Sequence, residues 1–183
     1  MKSVIAGVQD HPGRVEIVLL VLVAAHATVA QLWGMGAIWT SLAATDVAVA
    51  SPIYLALLGP AAIVGGFSGV VIIYGLQSDS PRFRKFRIDA GASLKRTWTS
   101  TATAGFWAAA CSGVAAVLAT SNELSWLAPW FFELGIVFLA HGSLRLIWIL
   151  RNLVETVHAD DIEREQKKNE VPVSAFGFNR RAS

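Results

Sequence analysis

Charge is what this chain lacks over its first half. Between Glu16 and Asp79 the only charged residue is Asp46, and residues 17–45 and 47–78 contain no Lys, Arg, Asp or Glu. A helix needs only about 20 apolar residues to cross the ~30 Å hydrocarbon core of a bilayer. Both stretches are long enough to do so, and the chain reads as an integral membrane protein.

Cysteine is nearly absent. Cys111 is the sole one and lies in the third apolar stretch, so neither an intramolecular disulfide nor a cysteine metal cluster can form. Its expected role is small-residue packing. Enzyme signatures are missing as well: there is no phosphate-binding glycine loop with lysine, no His-Glu-x-x-His, no Gly-x-Ser-x-Gly and no carboxylate cluster. The expectation is a protein with no enzymatic activity, no catalytic residue, no metal site and no cofactor. An inverted-repeat transporter is also disfavoured. The two halves lack clear similarity, and only the second span carries a strong helix interruption.

What is present is apolar residues, 54% of 183, with a mean hydropathy of +0.52. This allows one compact membrane domain with a short soluble appendage. The positive charges are placed unevenly. Lys2 and Arg14 precede the first apolar stretch. Arg82, Arg84, Lys85, Arg87, Lys95 and Arg96 fall between the second and third, and Arg151, Arg164, Lys167, Lys168, Arg180 and Arg181 follow the last. Short loops rich in Lys and Arg stay in the cytoplasm. Both termini and the middle loop are therefore expected inside, with the loops holding Asp46 and Glu123 outside. The expected fold is an all-α integral membrane protein, four transmembrane helices in a bundle, in the inner membrane of a prokaryote. The spans are placed at about 15–39, 52–77, 98–120 and 128–150, after a cytoplasmic segment 1–14. A helical extension over 151–170 and a flexible basic and aromatic tail over 171–183 follow.

Ala48-Val49-Ala50 resembles a signal cleavage site, but the preceding apolar stretch far exceeds the ~7–15 residues of a signal core, so it reads as an anchor that stays. Trp33 and Trp39 mark the outer end of the first span. Val4, Ile5 and Val8 share a helical face that suits the cytoplasmic interface. In the second span Gly59-Pro60 predicts a kink, because proline removes a backbone hydrogen bond. Ala61, Gly65 and Gly69, together with Ala62 and Gly66, predict a face on which a neighbouring helix approaches closely. Gly105, Ala109 and Gly113, beside Ala108, Ser112 and Ala116, repeat the pattern in the third span. These two helices are expected to pair.

No Pro or Gly interrupts the chain from Arg151 to Glu170, so the fourth span should continue as one helix of about 40 residues, ~60 Å long. Asp160 with Arg164 and Glu163 with Lys167 have the favourable acid-first spacing of four. Pro172 ends it, and Phe176, Phe178, Arg180 and Arg181 follow in the tail.

Polar groups within spans are costly and tend to be functional. They are His26 in the first span and Glu133, His141 and Arg145 in the fourth. His26 lies ten residues past Glu16 and His141 ten before Arg151, which puts both ~15 Å from the cytoplasmic boundary, able to meet if their helices are neighbours. Three roles are open to them: two axial ligands of a b-type haem, a proton or ion path along the four-residue stripe Glu133, Val137, His141 and Arg145, or hydrogen bonds that help assemble the helices. Arg82, Arg84, Lys85 and Arg87, interleaved with aromatics, suit anionic lipid headgroups; nucleic acid is not an expected partner. Together these features point to a small homo-oligomeric, membrane-permeabilising or ion-conducting protein, holin-like in size, of the kind used in phage lysis, exclusion or defence. The alternative is an anchor or accessory subunit of a respiratory or oxidase complex, with or without haem at His26 and His141.

Overall fold

A computed structural model describes residues 12–34, 36–77 and 81–169; within them the side chains of 12–13, 75–76, 81–83, 85–87 and 89–95 are not described. The expected N-terminal interfacial piece (Val4, Ile5, Val8) and the tail after Glu170 lie outside the described residues. The described chain is helical, without strands: α1 Pro12–Trp33, α2 Ala37–Ala43, α3 Val47–Leu55, α4 Leu58–Gln77, α5 Pro81–Leu118, a short 3-10 turn Ser125–Leu127, and α6 Ala128–Asn169. Among the described residues four helical stretches are long and apolar enough to cross a membrane: Arg14–Trp33, Val47–Tyr74, Arg96–Leu118 and the apolar part of Ser125–Asn169.

Each boundary has a local cause. α1 stops at Trp33, six residues short of the expected end near Trp39, because Gly34 takes φ 66°, a left-handed conformation that stops the helix and that glycine adopts without a Cβ penalty. Asp46, the isolated acid, is the N-cap of α3. Its carboxylate accepts the backbone N–H of Ala48 at 2.8 Å, so the second span begins at Val47 and not near Pro52. The kink expected from Gly59-Pro60 is present as a break at Ala56 and Leu57. Pro60 cannot donate to the carbonyl of Ala56 four residues back, and the helix restarts at Leu58. On the third span, Ser112 donates to the Tyr54 carbonyl just before the break, so a fully buried hydroxyl serves the chain where its helix is interrupted.

The small residues set how the helices meet. Ala61, Val64, Ser68 and Val71 form the buried face of α4. A Cβ on Gly105 of α5 would lie 2.9 Å from the Gly65 nitrogen and 3.0 Å from the Ala61 carbonyl oxygen. The expected close approach of the second and third spans thus centres on Gly105 and Gly65. Ala109 packs at the edge of the core cluster of Ala61, Ala108, Cys111 and Phe138. Gly66, Gly69 and Gly113 behave otherwise: a Cβ on any of them would meet nothing within 4 Å. Gly66 and Ala62 are exposed and line a shallow apolar groove with Ile63, Phe67 and Val70, so that ridge points outward, contrary to expectation. One helix face cannot carry both ridges inward, and Val64 and Ser68 fix which one is buried.

Two glycines missed by the sequence reading dock the fourth span. Cβ atoms on Gly135 and Gly142 of α6 would approach the Ala108 carbonyl oxygen at 3.2 Å and the Ala104 Cβ at 3.1 Å. Their seven-residue spacing, two helical turns, was the available signal. With Arg145 opposite Ser100, these contacts define an antiparallel register of α5 and α6.

The stretch expected as a middle loop is instead the first part of α5, which runs unbroken from Pro81. Proline suits the first helical position, where its missing N–H costs nothing. Continuing the register past Trp98 and Ile149, which share a core cluster, places the acid-rich 155–165 of α6 alongside the basic 82–87 of α5. Asp160 is buried there and pairs with Arg164 at 3.0 Å; Glu163 pairs with Lys167 at 2.7 Å, as the spacing predicted. The burial of Asp160 shows that the α6 extension is not solvated all round.

Candidate functional site

α1 is the outlying helix. Only 11% of the residues in its apolar window are buried, against 44% for the third span. It touches the rest of the molecule through a narrow stripe: Val23 and Ala30 are buried, Glu16, Leu19 and Ala27 half-buried, while Ile17, Val18, Val21 and Leu22 are exposed. Along this stripe α1 meets α6, and there the four polar residues of the spans gather.

At one end His26 Nδ1 lies 2.7 Å from Glu133 Oε1, in a contact that becomes an ion pair when the imidazole is protonated. The carboxylate side chain is 15% exposed and the imidazole 45%, so His26 is the open side of the pair. The imidazole makes a T-shaped contact with Trp130 (centroids 5.7 Å apart), and Trp39 of α2 lies tilted against Trp130 with centroids 6.4 Å apart. The second oxygen, Glu133 Oε2, is buried with no hydrogen-bond partner.

His141 lies eight residues further along α6, ~12 Å on, and its Nε2 is also buried without a partner. One turn beyond, Arg145 donates through Nη1 to Ser100 Oγ of α5 at 2.8 Å. The Glu16 carboxylate of α1 is close enough to act electrostatically on the same guanidinium. The stripe Glu133, Val137, His141 and Arg145 thus faces the junction of α1 and α6, with a carboxylate and a base or cation at each end and an unpartnered imidazole between.

Two expectations change. His26 meets Glu133 and not His141, because α1 begins at Pro12 and ends at Trp33. His26 is therefore only seven residues, ~10 Å, from the far end of its helix, close to the level of Glu133, five residues into α6. The two imidazoles sit about 12 Å apart along the helix axis. They cannot share one iron, so this pair does not fit a b-type haem. Glu133 and Arg145 each have a partner on another helix.

Among the described residues no group of three or more His, Cys, Asp or Glu side chains could hold a metal ion. Arg84 is exposed; the side chains of Arg82, Lys85 and Arg87 lie outside the described residues. No protein-family model, curated protein or solved structure matches the chain.

Proposed function

We propose that this chain is a four-span inner-membrane protein, with both ends in the cytoplasm, that conducts an ion along the seam between α1 and α6 and works as a homo-oligomer without enzymatic activity. One observation carries the reading: the His, Glu and Arg side chains of the membrane-length helices, His26, Glu133, His141 and Arg145, follow that seam, three of them with a partner on another helix, while large apolar side chains face outward. Ile63, Phe67, Val70 and Ile73 of α4 and Leu144 and Ile147 of α6 are all more than half exposed. In water such a surface would aggregate; in lipid it is the expected exterior. Ionisable groups at membrane depth mark ion and proton pathways when they face an interior junction.

The positive-inside pattern sets the orientation, with Asp46 outside as a helix cap. Arg96 and Arg151 then lie at the cytoplasmic headgroups. Arg82, Arg84, Lys85 and Arg87 ride on the α5 continuation, ~14–21 Å beyond Arg96, too far for headgroup contact along a straight helix.

Reconstitution into liposomes tests the reading. The protein should dissipate an imposed ion gradient, and His141→Leu should slow this several-fold without loss of insertion. An intact barrier at high protein content would contradict conduction. On the same preparation, a defined homo-oligomer is expected; a co-purifying partner complex would instead make the chain an anchor subunit.

A further inference from the structure

We propose that the ion moved along this seam is the proton, exchanged with the outer side at the His26–Glu133 pair and passed inward by way of His141. This rests on the conducting reading above and specifies its cargo.

The donor set argues against other ions. A dehydrated alkali or divalent cation needs several oxygen ligands at once. The outer half of the seam offers one unengaged carboxylate oxygen, Glu133 Oε2, flanked by imidazole, and no cluster of three ligating side chains occurs among the described residues. An anion would meet the Glu133 carboxylate. A proton requires only groups that accept and release it, held in line, and imidazole does so near neutral pH.

The geometry supplies the steps. His26 is the more open partner, and the proposed route begins with its Nε2 taking a proton from the outer side. The resulting imidazolium carries a proton on Nδ1, 2.7 Å from Glu133 Oε1. Transfer breaks that N–H bond and forms an O–H bond, turning imidazolium and carboxylate into imidazole and carboxylic acid with no change in net charge. Rotation of the carboxyl then presents the proton on the buried side, where Oε2 now lies without a partner. Some 12 Å further in, His141 Nε2 is a buried acceptor with no partner of its own. That span exceeds a direct hydrogen bond, so the proposed transfer requires bridging water between Glu133 and His141. At the inner end the proposed route leaves past Arg145, which is held by Ser100 of α5.

The test uses full-length protein in liposomes that hold a pH-sensitive dye, with a potassium-sensitive dye in a parallel set. The wild-type protein should carry protons and little potassium. Glu133→Gln, which keeps the shape but cannot cycle a proton, should reduce proton flux to the empty-liposome level, and Glu133→Asp should restore part of it. His141→Gln should also slow proton flux several-fold, which keeps the proposal open to refutation if the Glu133→Gln protein misfolds. Unchanged proton flux in a folded Glu133→Gln or His141→Gln protein would overturn the proton route. Potassium flux exceeding proton flux in the wild type would overturn the proton assignment and leave the conducting reading standing. No flux of either ion would overturn both.

Discussion

Gly105→Leu separates the second and third spans. The first added carbon would stand 2.9 Å from the Gly65 backbone nitrogen and 3.0 Å from the Ala61 carbonyl, so neither neighbour can yield by a rotamer change and a whole helix must move. The expected cost is about 3 kcal/mol, the upper part of the overpacking range. Lipid offers no hydrophobic drive to hold helices that no longer fit. Gly113→Ala and Gly66→Ala are the controls: neither new methyl meets anything within 4 Å. Both should be neutral or stabilise by up to about 1 kcal/mol through helix propensity. Reversible unfolding in mixed micelles, followed by circular dichroism, reads all three. Equal losses at Gly105 and Gly113 would mean that the close approach does not exist.

The second large effect is at the α1–α6 junction. Removing either His26 or Glu133 leaves the other polar group stranded on an apolar helix. Because His26 is 45% exposed, the loss falls below that of a fully buried pair. His26→Ala and Glu133→Ala should each cost about 1–2 kcal/mol, near the top of measured interhelical couplings in membranes. The double variant should lose scarcely more than either single one, since the second change removes a group already stranded. Additive losses in that cycle would show that the two side chains do not meet. Stability and flux separate here: Glu133→Gln keeps an acceptor for His26 Nδ1, so it should retain most of the stability while losing proton transfer.

The spans were legible because hydropathy is a direct reading of transfer free energy, and the uncharged runs leave little choice. Local chemistry also showed through. The Pro60 interruption and the Asp160–Arg164 and Glu163–Lys167 pairs follow from spacing within one helix. What failed needed a second helix. The basic stretch before Thr97 looked like a loop because it is charged, yet it is helical and continuous with the third apolar helix. The alternating small residues of α4 left two candidate ridges, and the buried Val64 and Ser68, with Gly105 against Gly65 and Ala61, select between them.

The site shows the same limit. His26, Glu133, His141 and Arg145 were all legible as misplaced polar residues, but their pairing was not. Counting depth from Glu16 put His26 level with His141, whereas the helix actually starts at Pro12 and Gly34 ends it. A shift of about two turns decides whether His26 lies level with His141 or with Glu133. Ser100 was likewise unremarkable in sequence until Arg145 was found against it.

The account rests on four membrane crossings that hold the His26–Glu133 end of the seam toward the outside. Cysteine accessibility tests this most directly. In a Cys111→Ala background, single cysteines replacing Asp46, Glu123, Arg96 and Arg151 are exposed to a membrane-impermeant maleimide in intact cells and again after permeabilisation. The account predicts labelling of positions 46 and 123 in intact cells, and of 96 and 151 only once the membrane is opened. Labelling of position 96 or 151 in intact cells, or protection of 46 and 123, would contradict it.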